Sequence, residues 1–332
     1  MKNRDVRIYL ATSMGGSPFI DPISLKIFAS LNCCITKDIS SADVIVAHNL
    51  KNLLPGIIRY TKKKFLVWTN EPRVDTNFKR ELKLPFGLPQ IDIMNVYGNE
   101  VFWHNFHFLA SYHFDNTNNL GIDITKPLPH ITKSHLLSLN KKNKIAALFT
   151  NTLSSNNKLI RSGKDIDLSL KRCKYAISGH QRKLLDIYGN KWPNGYAQDN
   201  SGFGFEKNRP WWIEKIEILK GYKFNLCFEN TASPYYVTEK IWHAIISYCL
   251  PIYSSFNSSI YETFPENSFI DANLFKDEND LFDYIMAMSE EEFIHRLNLC
   301  IDVFNKALFI KSNNYEMNAN EMVDKIVKRL TN

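Results

Sequence analysis

Short apolar runs alternate with segments of helical period along most of the chain. Strand-like runs rich in Val, Ile, Phe and Tyr occupy residues 6–10, 43–48, 64–69, 91–97, 145–150, 184–188, 223–228 and 250–253. Helical periodicity falls between them, over residues 24–31, 52–62, 168–178, 210–220 and 237–248. Pro210 suits a first helical turn, where a missing N–H costs nothing. Strand–helix alternation of this kind predicts α/β architecture with parallel sheets.

The alternation breaks between residues 117 and 140, where Asn116-Thr117-Asn118-Asn119, Pro127 and Pro129 read as an irregular connection. This sets a domain boundary, giving domains of residues 1–140 and 141–317. A second loose stretch, 190–209, holds Pro193, Gly195, Gly202 and Gly204 among aromatics. It reads as a lid or a long surface loop ahead of a helix. From Asp277 onward the chain is helical and polar. Its last segment, 318–330, lines up Met322, Val323, Ile326, Val327 and Leu330 opposite Lys325, Lys328 and Arg329. That pattern is a helix docked on the protein, with a membrane surface as the lesser alternative.

A length of 332 residues predicts two domains, and 44% hydrophobic with 13% aromatic residues supplies a core for each. Disordered and collagen-like classes are excluded. Lys and Arg number 41 against 34 Asp and Glu, a net charge of +7. Such an excess suits an anionic small-molecule substrate or a membrane surface and is too weak and dispersed for nucleic acid. No apolar run reaches the roughly 20 residues of a spanning helix. Residues 1–5 lead directly into a strand, without the apolar core of a secretory signal. The six cysteines form no C-x-x-C pair and lie mostly in apolar periodic segments, as buried thiols of a reducing compartment do. The expected location is the cytoplasm, with peripheral contact at the inner face of a membrane as the variant. Oligomeric state is not legible.

The chemistry concentrates between residues 224 and 244. A strand ends at Phe228. Glu229, Asn230, a proline and two tyrosines follow, and a helix opens with Glu239 and Lys240 in its first turn. In an open parallel sheet the ligand crevice lies at the carboxyl ends of the strands, and a helix N-terminus there presents N–H groups to phosphate. An acid at that place can bind ribose hydroxyls or stabilise a cation, and a lysine can neutralise phosphate. N-capping by Thr238 with a first-turn glutamate accounts for the same residues without any ligand. The residues alone leave these accounts level. Asp165-Ile166-Asp167 has the spacing of a divalent-cation site but lies in a Lys/Ser-rich loop, so no metal is assigned. His104, His107 and His113, set among aromatics, fit an aromatic wall or core better than zinc. Gly202-Phe203-Gly204 lacks the preceding strand and third glycine of a dinucleotide fingerprint.

Glu229-Asn230, then Tyr236-Val237-Thr238-Glu239-Lys240-Ile241-Trp242, then Leu250-Pro251-Ile252-Tyr253 resembles the signature of the α1,3/1,4-fucosyltransferases, glycosyltransferase family 10. That signature runs F-E-N-S, a short gap, Y-V-T-E-K, a helix and a V-P-V-like strand. Thr231 stands in place of the usual Ser, and Ser254-Ser255 where many members have Gly. Leu185-Asp186-Ile187-Tyr188-Gly189-Asn190-Lys191-Trp192 is similar to the D-L-Y-G-x-G-W stretch of bacterial members. In those members an arginine opening the preceding helix binds phosphate. Arg172 fits that place, with Arg161 and Arg182 as rivals. Glu71, in Val67-Trp68-Thr69-Asn70-Glu71-Pro72-Arg73, matches the strand-end glutamate that acts as general base. Residues 94–102 resemble the M-N-V-Y-T-G-x-V segment, with Gly98-Asn99 in place of T-G.

The resemblance implies a GT-B fold, two Rossmann-like domains facing each other across a cleft. Residues 1–140, joined by the last helix 318–330, would bind the acceptor, and residues 141–317 would bind GDP-fucose. It also implies inverting transfer of L-fucose from GDP-β-L-fucose to a hydroxyl of an acceptor oligosaccharide, in α1,3 or α1,4 linkage, as in lipopolysaccharide or other glycan biosynthesis. Glu71 would be the base. Arg172 and Lys240 would stabilise the departing diphosphate, and Glu239 the ribose or the developing oxocarbenium charge. Asn230 and Tyr236 would line the nucleotide site. No cofactor beyond the donor is implied. A GT-B transferase of another nucleotide sugar, and a silent glycan- or nucleotide-binding protein, are the alternatives. Keeping Glu71, Glu239 and Lys240 together speaks against the silent protein.

Overall fold

The computed structural model describes residues 5–14, 17–69, 71–73, 80–95, 97, 126–153, 158–199 and 211–331. The chain divides into two compact units, Met1–Tyr112 with Lys311–Asn332, and His113–Ile310.

The first unit is built on strands β1 (Val6–Leu10), β2 (Cys33–Thr36), β3 (Val44–Ala47), β4 (Lys64–Thr69), β5 (Glu81–Leu82) and β6 (Ile91–Asn95). Their order in the sheet is β2-β1-β3-β4-β6-β5. Only β5 runs antiparallel to its neighbour. Crossover helices α1 (Pro22–Ser30) and α2 (Leu50–Arg59) start where Asp21 and Asn49 accept backbone N–H bonds as N-caps. Leu53 and Ile57 of α2 pack on Ile45, Phe65 and Val67, so the central strands are covered and read as unbroken apolar runs.

The second unit contains β7 (Lys142–Leu148), the hairpin β8 (Ile160–Arg161) and β9 (Lys164–Asp165), then β10 (Leu185–Tyr188), β11 (Ala197–Asp199), β12 (Tyr222–Leu226), β13 (Leu250–Tyr253) and β14 (Ile270–Asp271). Its main sheet runs β11-β10-β7-β12-β13-β14, all parallel. Numbered along the chain, that order is 3-2-1-4-5-6, the Rossmann order, whose strand sequence reverses between β7 and β12. Its helices are α3 (Lys133–Ser138), α4 (Ser169–Gln181), α5 (Trp211–Lys220), α6 (Glu239–Ile246), α7 (Glu278–Ala287) and the long α8 (Glu290–Thr331). Two Rossmann-like units in one chain are the composition of the GT-B class.

The unit boundary lies well before residue 140. Residues 128–131 are pinned to α8: Asn305 and Asn298 side chains accept from Leu128 and Ile131 N–H at 2.7 Å each. Those side chains also return hydrogen bonds to the Leu128 and Ile131 carbonyls. The proline-containing connection therefore belongs with the second unit, a pairing across the chain that composition does not reveal. The end of α8 belongs to the first unit. Met322, Val323, Ile326 and Leu330 are buried there, Arg329 meets Asp92 at 3.1 Å, and Lys64 Nζ donates to the Leu330 carbonyl. The apolar stripe faces protein. Among the described residues no helix is long and apolar enough to cross a membrane.

Geometry requires the glycine at position 189. Gly189, just past β10, has φ +124°, and a Cβ there would lie 2.4 Å from the Phe149 carbonyl oxygen. That same oxygen accepts the Trp192 indole N–H at 2.9 Å. Gly189→Ala is expected to destabilise the protein by about 2–4 kcal/mol through backbone strain and overpacking. Chemical denaturation checks this, and unchanged stability would remove the steric account.

Candidate active site

The sheet order places a ligand crevice where β7 and β12 end. Phe149 follows β7, and Cys227, Phe228 and Glu229 follow β12. Helix α6 begins above them, anchored by Ile241, Trp242 and Ile245, none of which is exposed. Trp242 packs on Phe264 and Phe304. This burial fixes the first turn, Glu239 and Lys240, at the carboxyl edge of the sheet.

Glu229 organises that turn. It is 2% exposed. It accepts the Thr238 backbone N–H at 2.7 Å and the Thr238 hydroxyl at 2.8–2.9 Å. It also pairs with Lys240 Nζ at 2.8 Å, while the Tyr253 hydroxyl donates to it at 3.4 Å. Thr238 makes no side-chain cap bond to the helix; its hydroxyl is spent on Glu229 and accepts from Lys240 at 2.7 Å. The capping account of this segment therefore fails, and the helix N-terminus carries no side-chain cap. Glu239 adds a second carboxylate 3.5 Å from Lys240 Nζ. Burial drives the Lys240 ammonium down, but Glu229 and Glu239 outweigh it and hold it above the ordinary lysine range. Burial raises the Glu229 carboxyl, against the opposing pull of Lys240.

Arg172 lies in α4, 8% exposed, with its guanidinium carbon 4.7 Å from the centre of the Phe149 ring. Its charge acts on Lys240. The start of α4 is laced to the segment after Glu229. The Asn230 carbonyl accepts from Leu168 N–H and the Ser169 hydroxyl, Asp167 bridges to Thr231, and Ala232 N–H bonds the Ile166 carbonyl. Asn230 thus fixes the helix that carries Arg172. Tyr236 is buried in the same loop, its N–H bonded to the Ser233 carbonyl. Of the rivals, Arg182 ends α4 and pairs with Asp283, while Arg161 sits in the β8–β9 hairpin.

Glu71 follows β4 at the carboxyl edge of the first sheet, half-buried. A turn closed by Thr69, whose hydroxyl bonds both Glu71 N–H and carbonyl at 3.2 Å, sets its backbone. The carboxylates of Asp165-Ile166-Asp167 are engaged locally. Asp165 accepts from Leu159 and Asp167 N–H, and Asp167 from Leu170 N–H. His104, His107, His113, residues 98–102 and Gly202-Phe203-Gly204 lie outside the described residues.

Residues 171–296 match the family model described as glycosyltransferase family 10 (fucosyltransferase) C-term. Over that span the chain resembles the C-terminal domain of glycosyltransferase family 10. The matched span contains Arg172, Glu229, Glu239 and Lys240. An alpha-(1,3)-fucosyltransferase of Helicobacter pylori is 46% identical over 71 residues, 21% of this chain and 15% of that protein. A 4-galactosyl-N-acetylglucosaminide 3-alpha-L-fucosyltransferase of Homo sapiens is 36% identical over 78 residues, 23% of this chain and 22% of its own. The alignments thus span less than a quarter of either relative's length. A crystal structure of an alpha1,3-fucosyltransferase with GDP-fucose aligns over 89% of this chain and 81% of its own, at 20% identity and a TM-score of 0.45.

Glu229 was not singled out as a functional residue by sequence reasoning. Glu229 stands in the quoted motif, but its partners lie 9 and 11 residues away across a loop. Lys215 falls on the α5 face that buries Ile216 and Leu219.

Proposed function

We propose that the protein is an inverting fucosyltransferase that moves L-fucose from GDP-β-L-fucose to a hydroxyl of an acceptor glycan, in α1,3 or α1,4 linkage. The observation that supports this best is the grip of buried Glu229 on Thr238 and Lys240, inside the span that matches the family 10 model. It sets a lysine and an uncapped helix N-terminus at the switch point of a Rossmann sheet, beside Arg172. Both suit a diphosphate. Arg172 and Lys240 stabilise the charge that grows on the departing GDP. Glu239 holds ribose or faces the developing oxocarbenium charge, while Asn230 and Tyr236 shape the nucleotide loop. Glu71 takes the proton of the acceptor hydroxyl. The protein's own cations carry the diphosphate, so donor binding requires no added metal.

GDP is expected to raise the melting temperature in EDTA by mass action on the folded state, and UDP much less. Equal shifts with GDP and UDP would point to another nucleotide sugar. A strict requirement for Mn²⁺ would remove the metal-free account. Fucose transfer to a glycan panel tests the reaction itself, and GDP release only upon adding acceptor separates an enzyme from a silent binder.

A further inference from the structure

The amino edge of the first sheet, opposite the edge that carries Glu71, gathers positive charge. The starts of β1, β3 and β4 and the ends of α2 and α8 line a pocket of about 780 Å³ there. Arg7, Arg59, Lys62, Lys63 and Lys64 line it, and Asp43 is the one acid among the described lining residues. Asp43 is engaged: it accepts the Arg7 backbone N–H at 2.8 Å and lies 3.9 Å from Arg7 Nε. Lys63 and Lys64 are held by main-chain carbonyls, which leave their charge in place. Lys63 Nζ donates to the carbonyls of Ser40 and Ala42, and Lys64 Nζ to that of Leu330 at 3.0 Å. Arg59 and Lys63 also lie 5.4 and 5.3 Å from the centre of the Tyr60 ring. Asp92, in register with Leu66 on the neighbouring strand, is held by Arg329 at 3.1 Å. Among the described residues no carboxylate pairs with Arg59, Lys62, Lys63 or Lys64, and residues 1–4, which precede β1 in sequence, include no acid.

The helix that ends at this pocket keeps apolar side chains on two sides. Leu53 and Ile57 of α2 pack into the core, while Leu54 and Ile58, one turn apart, are 44% and 72% exposed. Packing within the first unit gives no reason for that outer pair. Lys51 and Arg59 flank it on α2 and Lys62 follows it, all exposed. An anionic lipid surface suits apolar side chains set among unpaired cations: the apolar groups enter the headgroup boundary while the cations meet phosphates. We propose that the outer face of α2 and the basic pocket at its end dock the protein on an anionic membrane surface. Nucleic acid and other soluble polyanions would use the cations alone and leave Leu54 and Ile58 in water. Strand β4 separates this edge from Glu71 by about 20 Å, six residues at the rise of a strand, so docking leaves the opposite edge of the sheet uncovered. The face is distinct from the apolar stripe of the last helix, whose Met322, Val323, Ile326 and Leu330 are buried.

The test is cosedimentation of the full chain with vesicles of phosphatidylcholine, with and without phosphatidylglycerol. Wild type should bind the anionic vesicles, leave pure phosphatidylcholine unbound, and lose affinity as salt rises. Arg59→Gln/Lys62→Gln removes two exposed cations and should weaken binding roughly tenfold or more, since each basic residue near such a surface contributes roughly fivefold. Leu54→Ser/Ile58→Ser keeps every charge and should also weaken binding roughly tenfold or more, through the apolar area that no longer enters the lipid. Both double variants should melt close to wild type, because all four side chains are exposed. If the serine pair melts below the assay temperature, Ile58→Ser, at the more exposed site, decides in its place. Absence of binding to anionic vesicles, or wild-type binding in the glutamine pair, would overturn the proposal. Wild-type binding in the serine pair would overturn it too, and tight binding of heparin would then assign the face to soluble polyanions.

Discussion

Replacing Glu71 by alanine is expected to slow fucose transfer by roughly 10²- to 10⁴-fold, the scale of a lost general base. GDP affinity should stay near its wild-type value. The separation follows from what each group meets. Glu71 lies just past a strand of the first unit, and a base is needed only as the acceptor hydroxyl attacks. The proposed diphosphate site is assembled from the second unit, and a diphosphate there would carry its negative charge in ground and transition states alike. Stopped turnover together with calorimetric GDP titration decides the matter. A Glu71→Ala protein that turns over normally and loses GDP affinity would move the role of base to another acid of the N-terminal half, with Glu100 the first to test.

The second large effect concerns Glu229. Glu229→Ala should cost about 3–5 kcal/mol of stability, because it strands a buried ammonium and a buried N–H at once. Lys240 would lose its 2.8 Å partner, and Thr238 would lose the acceptor for both its N–H and its hydroxyl. GDP binding should weaken with it, since the first turn of α6 loses its anchor. Denaturant titration of Glu229→Ala, Lys240→Met and the double variant separates the causes. Restored stability without restored GDP binding is the expected result for the double variant, as the uncompensated charge is gone but so is the phosphate ligand. Full stability in Glu229→Ala would show that the carboxylate is incidental.

The alternation of strands and helices was legible because covered parallel strands must be apolar throughout, as Val44-Ile45-Val46-Ala47 is. Strands β1, β4 and β13 fall at the predicted residues, and the other predicted strands shift by one to three residues at one or both ends. Strand β2 escaped because Cys33-Cys34-Ile35-Thr36 is short and follows its helix through Asn32 at φ 56°, a turn with no glycine to mark it. β14 is two residues long and carries no period at all. Helix α7 was legible only as part of a polar helical region, although Asp277 caps it by accepting Asn279 and Asp280 N–H. In the site, the residue types of the Y-V-T-E-K segment were visible, but the function of Thr238 was not. Capping and binding to Glu229 use the same hydroxyl, and only the folded loop decides between them. Lys215 was hidden for a different reason. A lysine in a Glu- and Lys-rich helix reads as solvated, and the burial of α5 depends on the helix packed against it.

Phe149 offers a graded control over the pocket. Its ring supports the Arg172 guanidinium, while its carbonyl is held by the Trp192 indole and hemmed in by Gly189. Changing Trp192 to phenylalanine keeps an aromatic body against that ring and removes a single hydrogen bond. Changing Gly189 pushes the carbonyl itself. An engineer could therefore shift the arginine by small, separate steps without touching any charged group, using two uncharged residues that an activity-based scan would file under folding.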